Sequence, residues 1–415
     1  MSDKLNMQPV RGVRDIFGLE MECYTKIVKC AHEIAELNNY SEIMLPIFEF
    51  SEIFHRTLGE TSDAVSKETY TFLDRDKTSI TLRPEFTSGV VRSIISNGLT
   101  QSLPIKYFSQ GPVFRHERPQ KARYRQFNQL NFESIGVAEE YADIEIIALA
   151  YNLLTQLGLK DVVQLELSSI GDLESRNNYK QQLVNYLSKY ESELSEDSKV
   201  RLHKNPLRIL DSKDENDRKI LTSAPEIYSS FTKHAADRFE SVKNGLNNLG
   251  ISFTINPKLV RGLDYYAHTV FEFTTTKLGA AGTVLAGGRY DGLFEMMGGP
   301  QVPAIGFGSG IDRLCALLMD DFEPAKRKLI FLVPIGEKAL YKSPEIAVKL
   351  RSLGLRTDYV YHQNPGKQMQ KANKLGATHT LIFGDDELST DKFKLKNMAS
   401  GAEEVITLEH IIDHV

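Results

Sequence analysis

The stretch QGPVFRHERPQKARYRQFNQLNFESIG, from Gln110 to Gly136, says most about the fold of this chain. Residues 105–117 and 125–136 read as strands in which apolar and polar side chains alternate, the period of a half-buried β-strand. The segment between them, 118–124, carries three basic residues and no acidic one. The pattern therefore predicts an antiparallel hairpin whose turn carries positive charge.

Alternation along this hairpin also predicts which side chains face the same way, because successive residues of a strand point to opposite faces. On the first strand, Arg115 and Glu117 should share a face. On the second strand, one face should carry Phe127, Gln129, Asn131 and Glu133. The hairpin could thus present an arginine, a ring, an amide and a carboxylate to one pocket. A solvated basic hairpin with one packed face explains the same alternation, which alone does not decide between the two.

The chemistry of these residue types fits a charged, planar ligand. A guanidinium can hold a phosphate with two hydrogen bonds. A phenyl ring can stack on a base, and Gln and Glu side chains can bind an amine or an imidazole N–H. The basic turn suits a polyphosphate or a nucleic-acid backbone.

The chain around the hairpin predicts an α+β core, an antiparallel sheet flanked by helices. Helices are predicted over 19–39, 84–97, 140–157 and 310–319. Further strands are predicted over 70–73, 79–82, 251–255, 269–274 and 282–287. Residues 172–248 are charged and poor in glycine, and we interpret them as a mainly helical insertion within a core that spans 1–325.

The remaining residues, 326–415, predict a separate small α/β domain after a linker at 320–328. Strands and helices alternate in this tail, which is typical of a layered α/β unit. Strands are predicted over 329–336, 357–361, 378–384 and 392–398, and helices over 337–353, 366–375 and 407–414.

Composition limits the function without identifying it. The chain has 415 residues and a net charge of −5, so it is not a strongly basic nucleic-acid binder as a whole. Its three cysteines form no CxxC pair, which argues against structural zinc and a disulfide framework. The sequence also lacks a P-loop and a GxGxxG after a strand. The N-terminus has no apolar leader and no run approaches the ~20 apolar residues of a membrane span, so we expect a cytoplasmic protein without membrane contact.

The hairpin sequence closely resembles motif 2 of the class II aminoacyl-tRNA synthetases, in the form found in the bacterial histidyl-tRNA synthetase family. Further segments resemble signatures of that family in the expected order: RGVRDIFG (11–18), LPIFEF (motif 1, with Pro46), TLRPEFT (81–87), LVRGLDYYAHTVFE (259–272), AGGRYDGL (286–293) and GFGSGIDRL (motif 3, 306–314). The tail resembles the family's anticodon-binding domain. The resemblance therefore covers essentially the whole chain.

The resemblance implies an ATP-dependent ligation of L-histidine to tRNA-His through a histidyl-adenylate. Adenylate formation needs positioning and positive charge more than acid–base groups. The family pattern assigns the catalytic roles to two arginines. Arg115 should bind the α-phosphate, and Arg261 should contact both this phosphate and the histidine carboxylate.

The family pattern also assigns the rest of the ATP site. Arg313 should stack on the adenine opposite Phe127, and Arg123 should hold the γ-phosphate. Glu117 should contact the adenine or a magnesium ion. Mg²⁺ is expected to arrive with the nucleotide, and no dedicated metal site is predicted among the side chains.

The histidine pocket implied by the resemblance reads both ends of the substrate. Glu85, Thr87 and Gln129 should hold the α-amino group, while Glu133 and Tyr266 should bond the imidazole nitrogens, with Tyr265 nearby. A site that hydrogen-bonds its substrate rejects analogues lacking those groups by about 10⁴–10⁵-fold. Packing in the core is the usual role of a Tyr-Tyr pair and remains the alternative for Tyr265 and Tyr266.

Partners follow from the same pattern. Arg118 and Gln120 in the hairpin turn should contact the extra 5′ guanosine of tRNA-His. In the tail, Lys367 and Lys371 lie one helical turn apart and should face the anticodon stem, although a solvated helix face explains them equally well. The motif 1 resemblance implies a homodimer.

Two alternatives remain open at this point. One is a synthetase-like regulatory subunit of ATP phosphoribosyltransferase, a binding module with the same fold that typically lacks the tail and the arginines. The other is a synthetase for proline, threonine or glycine. The sequence also departs from the family pattern: Phe86 and Ala122 stand where glycine is usual, and Asn131 and Phe132 stand where small residues are more typical.

Overall fold

The computed structural model describes residues 7–58, 68–120, 122–259, 265–279, 282–325, 327–361 and 364–415. The chain divides into two compact units, Met1–Phe322 and Glu323–Val415. The division falls close to the boundary that the sequence predicts at residues 325 and 326.

The first unit is built on two sheets. Its strands, in chain order, are β1 (Ser41–Glu42), β2 (Phe48–Phe50), β3 (Tyr70–Leu73), β4 (Ser79–Leu82), β5 (Ile105–Phe114), β6 (Gln126–Ile135), β7 (Gln164–Ser169), β8 (Thr254–Ile255), β9 (Ala267–Thr274), β10 (Thr283–Arg289) and β11 (Ala304–Gly310). The large sheet has the order β1-β5-β6-β11-β10-β9-β7-β8. Its inner pairings are antiparallel, and only the two short edge strands among those described, β1 and β8, pair in parallel.

Helices cover the large sheet and form the insertion. Within the described residues, the α-helices of the first unit are Gly18–Leu37, Ser51–Leu58, Thr87–Ser96, Tyr141–Gln156, Leu173–Leu187, Glu196–Lys204, Glu215–Leu221, Lys233–Asn248, Leu293–Met296 and Ile311–Leu318. Ile27 and Ile146, from the first and fourth of these, pack with Phe132 of the sheet in one core. A second core joins Val90 of the Thr87–Ser96 helix to the insertion. Each amphipathic helix thereby buries its apolar stripe on the sheet or on a neighbour.

The small sheet, of order β2-β4-β3, presents its apolar face outward. Phe50, Ile80 and Phe72 lie opposite one another in register, so their side chains share a face. Phe50 is 64% exposed and Phe72 is 48% exposed. The other face carries Thr81, which is fully buried and hydrogen-bonded to Thr71 at 2.8 Å. The small sheet therefore exposes its apolar face and buries the face that carries Thr81, whereas a sheet packed on a core buries its apolar face.

The second unit is a five-stranded mixed sheet with helices. Its strands are β12 (Ile330–Pro334), β13 (Thr357–Asp358), β14 (His379–Phe383), β15 (Phe393–Asn397) and β16 (Glu403–Ile406), in the order β13-β12-β14-β15-β16. The α-helices are Glu337–Ser352, Pro365–Lys374 and Asp385–Thr390. Strand β12 is buried along its whole length, as expected for a strand covered on both faces.

Several predicted elements differ from the structure. The helix predicted over 407–414 is wrong: a 3₁₀ turn, Ile411–His414, is the helical structure that forms within this range. The strand predicted over 357–361 is only two residues long. The strand predicted over 105–117 ends at Phe114, because the N–H of His116 turns away to the carbonyl of Glu68 at 2.7 Å.

Other elements were missed from the sequence. Strands β2, β7, β11 and β16 and the helices Ser51–Leu58 and Asp385–Thr390 were not predicted. Most are short, and periodicity is a weak signal over so few residues. Among the described helices, none combines the length and the apolar character needed to cross a membrane.

Candidate active site

An open cleft of about 1000 Å³ lies in the first unit over β6, β10 and β11. It brings together ten of the residues predicted to bind histidine or ATP: Glu85, Thr87, Arg115, Glu117, Arg123, Phe127, Gln129, Tyr265, Tyr266 and Arg313. These come from four of the sequence segments quoted above: 81–87, the hairpin 110–136, 259–272 and 306–314. Arg261 is a predicted catalytic residue that lies outside the described residues.

Three arginines crowd one side of this cleft. The Nε of Arg115 donates to the carbonyl of Pro84 at 2.9 Å, and its guanidinium carbon lies 5.4 Å from the centre of the Phe127 ring. Arg313 donates to the carbonyl of Thr283. Burial, together with the charges of Arg115 and Arg123, lowers the pKa of Arg313 to about 10. Positive charge gathered in a partly desolvated cleft favours a polyanionic ligand.

Glu117 and Arg123 face each other across the base of the hairpin turn and form an ion pair. Glu117 is 9% exposed. The prediction that Arg115 and Glu117 share a face of a strand is wrong, since both lie beyond the end of β5. They still reach the same cleft, because the N–H of Glu117 bonds the carbonyl of Arg115 at 2.8 Å in a tight turn.

Alternating glycines on β11 make room for the polar side chains of β6. We call Gly306, Gly308 and Gly310 the glycine track. In register, they lie opposite Glu133, Asn131 and Gln129, respectively. A Cβ on Gly308 would lie 2.5 Å from the Nε2 of Gln129, and one on Gly306 would fall on the Glu133 carboxylate. The long side chains of β6 therefore lie across β11 instead of standing upright from the sheet.

Glu133 lies fully buried at the end of the glycine track. Its carboxylate accepts hydrogen bonds from the Thr87 hydroxyl at 2.5 Å, the Tyr290 hydroxyl at 2.5 Å and the Asn131 amide at 3.0 Å. Burial raises the pKa of Glu133 to about 7. Glu133 is not among the residues that line the cleft, whereas Thr87 and Asn131, which hydrogen-bond its carboxylate, do line it.

Glu85 adds a second buried carboxylate to this end of the cleft. Its Oε1 accepts the backbone N–H of Ser88 at 2.9 Å, while its Oε2 is buried and has no hydrogen-bond partner among the described residues. Burial raises the pKa of Glu85. A buried acceptor of this kind costs free energy until a donor meets it. The group is therefore suited to an ammonium ligand.

The two tyrosines predicted near the imidazole form the wall of the cleft. The rings of Tyr265 and Tyr266 have centroids 4.7 Å apart, and Tyr265 also meets Tyr290 at 5.8 Å. All three are buried. Arg176 of the insertion donates to the carbonyl of Tyr266 at 2.7 Å, which fixes the backbone there. Tyr265 and Tyr266 therefore both pack in the core and line the cleft.

The raised pKa of Glu133 predicts how the ligand-free protein responds to pH. Between the ordinary carboxyl value of 4.5 and about 7, the folded state holds a proton that the unfolded chain releases. The free energy of unfolding should therefore fall as pH rises through this window, by on the order of 3 kcal/mol from Glu133 alone.

Chemical denaturation of the wild type and of Glu133→Gln across this pH range tests the point. The variant should lose part of the pH dependence, while any contribution of Glu85 remains in both proteins. Equal pH dependence in the two proteins would show that Glu133 does not titrate there.

The structure adds cleft residues that the sequence did not identify. Asp312 and Tyr124 line the cleft beside the arginines. Asp312 accepts the backbone N–H of Asn128 at 2.8 Å and a side-chain bond from Arg14 at 2.9 Å. Asp312 directly precedes Arg313 in the motif 3 segment, and this adjacency was the one signal in the sequence.

The residues predicted to bind tRNA are on the surface. Arg118 and Gln120 are exposed in the hairpin turn, where Gln120 and Arg123 exchange backbone hydrogen bonds. In the second unit, Lys367 and Lys371 are exposed on the Pro365–Lys374 helix. Neither pair lines the cleft. The described residues contain no group of three or more His, Cys, Asp or Glu side chains placed to hold a metal ion.

One further position explains a departure from the family pattern. Ala122, in the hairpin turn, has φ +57°. This left-handed conformation favours glycine and costs another residue about 1–2 kcal/mol. The backbone here thus keeps the conformation that the usual glycine would adopt.

Known proteins match this chain over its whole length. The family model described as "Histidyl-tRNA synthetase" matches residues 12–314, and the one described as "Anticodon binding domain" matches 330–415. The histidine–tRNA ligase of Wolbachia pipientis wMel is 48% identical, over 98% of this chain and 99% of its own. The structure of apo S. aureus histidyl-tRNA synthetase has a TM-score of 0.84 and 34% identity, over 99% of both chains.

A Bacillus halodurans structure described as an ATP phosphoribosyltransferase regulatory subunit/histidyl-tRNA synthetase is also similar. It has a TM-score of 0.67 and 22% identity, over 92% of this chain and 99% of that one. At this identity the likeness establishes a common fold alone.

Proposed function

The chain belongs to the histidyl-tRNA synthetase family, and we propose that the cleft described above is where histidine and ATP react. The protein ligates histidine to tRNA-His with the use of ATP. The observation that carries the proposal for the cleft is that three arginines and the buried carboxylate of Glu85 line one space, with the buried carboxylate of Glu133 hydrogen-bonded to Thr87 of its lining. One end suits a polyphosphate and the other an ammonium group.

Adenylate formation fits the arginine side of the cleft. A carboxylate oxygen of histidine attacks the α-phosphorus of ATP, a new P–O bond forms, and the bond to the β-phosphate breaks with pyrophosphate as the leaving group. Arg115, fixed by Pro84, would stabilise the charge that builds on the α-phosphate oxygens. Arg123 would bind the γ-phosphate, and Arg313 with Phe127 would enclose the adenine. Arg261 would join the histidine carboxylate to the same phosphate.

The histidine side of the cleft would be read by hydrogen bonds. The unpartnered Oε2 of Glu85 would accept from the α-amino group, with Thr87 and Gln129 beside it. Glu133, which already accepts three bonds, has a lone pair left for the imidazole N–H if Thr87 yields its place. Tyr266 would serve the other ring nitrogen, next to Tyr265.

Magnesium would arrive with ATP. Mg²⁺ favours phosphate oxygens and one or two carboxylates over a cage of protein ligands. Glu117 and Glu272, which both line the cleft, are the carboxylates that fit this description. The ion would neutralise charge on the phosphates.

We place the tRNA contacts at two exposed sites. The hairpin turn, with Arg118 and Gln120, would meet the acceptor end near the cleft. Lys367 and Lys371 on the tail would bind the anticodon stem through charge. A synthetase meets its tRNA in the cytoplasm, and we assign the protein to that compartment.

The outward apolar face of the β2-β4-β3 sheet supports a homodimer. Exposed apolar patches on a protein surface mark an interface, and this one belongs to the element that resembles motif 1. A second copy of the chain is the partner that we propose, since the same face on both copies would bury itself about a two-fold axis.

Phe50→Asp should convert the dimer to a monomer. A charge on the outward face would be desolvated if the interface formed, which is strongly unfavourable. We expect sedimentation velocity at micromolar concentration to shift from about twice the chain mass to the chain mass.

Met7→Asp, another exposed apolar position in the same unit, is the matched control and should leave the mass unchanged. A wild type that is already monomeric at these concentrations would remove the dimer from the proposal.

Histidine-dependent exchange of pyrophosphate into ATP tests the proposed reaction. The assay is run with each of the twenty amino acids, and charging of tRNA-His is measured alongside. Exchange with histidine alone, followed by charging, is the expected result. A folded protein that binds histidine but supports no exchange would instead be a regulatory module of the kind named for the Bacillus halodurans structure.

A further inference from the structure

Arg14, near the N-terminus, contacts two residues that line the cleft, Asp312 and Tyr124. Its Nη2 donates to Asp312 at 2.9 Å, and its guanidinium carbon lies 4.3 Å from the centre of the Tyr124 ring. Its Nη1 donates to Glu20 at 2.7 Å. Asp312 lies in the first turn of the Ile311–Leu318 helix, which carries Arg313, while Tyr124 belongs to the hairpin turn. One side chain thus contacts both elements that carry the proposed ATP ligands.

The residues around Arg14 pack closely against the hairpin. The backbone N–H of Arg125 donates to the carbonyl of Gly12 at 2.7 Å. Gly12 has φ +89°, and a Cβ there would lie 2.7 Å from the Cγ of Arg125 and 3.1 Å from Pro119. Both the conformation and the space therefore require glycine. We call residues 11–14 the N-terminal clip.

The clip also reaches the backbone that holds the ion pair of the turn. Arg125 donates from Nε to the carbonyl of Glu117 at 3.3 Å, and its own carbonyl accepts the N–H of Arg115 at 2.9 Å. A displacement of the clip would be transmitted through Arg125 to the two residues that the ATP proposal depends on.

We propose that the N-terminal clip is a positioning element of the ATP site, in which Arg14 sets the distance between the hairpin turn and Arg313 by binding Asp312 and Tyr124 together. The inference rests on the assignment of ATP to the arginine side of the cleft. Arg14 itself does not line the cleft and is not a catalytic residue. Asp312 is 3% exposed at its side chain, so its partner must be supplied by the protein.

The consequence is specific for one substrate. In the proposed function, histidine binds at the other end of the cleft, among Glu85, Thr87 and Glu133. None of the hydrogen bonds given above joins the N-terminal clip to these three residues. Loss of the clip should therefore weaken ATP binding and leave histidine binding nearly unchanged. A residue that merely stabilised the fold would affect both substrates or neither.

The test is the pyrophosphate-exchange assay with Arg14→Met, Asp312→Asn, the double variant and the matched control Glu20→Gln. Arg14→Met should raise the KM for ATP about tenfold or more, as loss of a hydrogen bond between charged groups would, with the KM for histidine within about twofold of wild type. The double variant should be no worse than the poorer single variant, because both break one interaction. Glu20→Gln should change neither KM by more than about twofold.

Gly12→Ala tests the same proposal at a second position if Arg14→Met folds poorly. It leaves Arg14 and Asp312 intact but forces the clip off Arg125, so it should also raise the KM for ATP selectively. Equal increases in both KM values, or additive effects of Arg14→Met and Asp312→Asn, would overturn the proposal. Absence of exchange in the wild type would instead contradict the proposed function, which keeps the two failures apart.

Discussion

Arg115→Ala is expected to lower kcat/KM for histidine-dependent pyrophosphate exchange by about 10²–10³-fold, the usual loss when one preorganised donor to developing negative charge is removed. The side chain is held for this role by its bond to Pro84 and by the Phe127 ring. The Arg115 side chain is therefore oriented before the ligand binds, so the reaction does not include the free-energy cost of orienting it. The effect should fall on kcat more than on the KM for histidine.

Two controls make this result interpretable. Arg115→Lys keeps the charge but loses the planar pair of donors, so it should recover only a small part of the lost rate. Arg56→Ala removes an arginine that is exposed and paired with Glu52, and it should have no measurable effect. Full activity of Arg115→Ala would show that the reaction does not take place in this cleft.

Gly306→Ala should lower kcat/KM for histidine at least about 100-fold. The added methyl would fall on the Glu133 carboxylate and would lie 2.6 Å from the carbonyl of Phe132. The carboxylate must move, and the bonds from Thr87 and Tyr290 are then lost. Each hydrogen bond to a charged group contributes about 1.5–3 kcal/mol, which sets the size of the loss.

Gly292→Ala is the matched glycine substitution. A Cβ at Gly292 would meet no atom within 4 Å, and its φ of −90° suits any residue. We expect wild-type kinetics from it, and a KM for ATP within about threefold of wild type from Gly306→Ala. Thermal unfolding of both variants separates pocket damage from loss of fold. Normal histidine kinetics in a folded Gly306→Ala protein would mean that Glu133 does not contact the substrate.

The sequence was most informative where a long motif and a strong period coincided. The hairpin predicted over 105–117 and 125–136 is present as β5 and β6, and the resemblance to the histidyl-tRNA synthetase family is confirmed. The shared face of Phe127, Gln129 and Asn131 follows from alternation alone, and all three line the cleft.

The features that the sequence could not give depend on distant contacts. Nothing in the chain near Arg14 indicates a partner 298 residues away, and the bond exists only because the Ile311–Leu318 helix packs beside the N-terminus. Similarly, the buried Glu133 accepts hydrogen bonds from Thr87 and Tyr290. Both residues are distant from Glu133 in the chain, and no sequence periodicity links them to it. The end of β5 at Phe114 was missed for the same reason, since the N–H of His116 bonds a residue outside the hairpin.

The glycine track has a consequence for inhibitors and for resistance to them. A compound that packs against the main chain of Gly308 and Gly310, which line the cleft, would rest on a surface with no side chain to exchange. At Gly308, the first atom of any new side chain would collide with Gln129. Escape by substitution at that position would therefore damage the enzyme as well, whereas contacts with the outer rim of the cleft leave the organism more freedom to mutate.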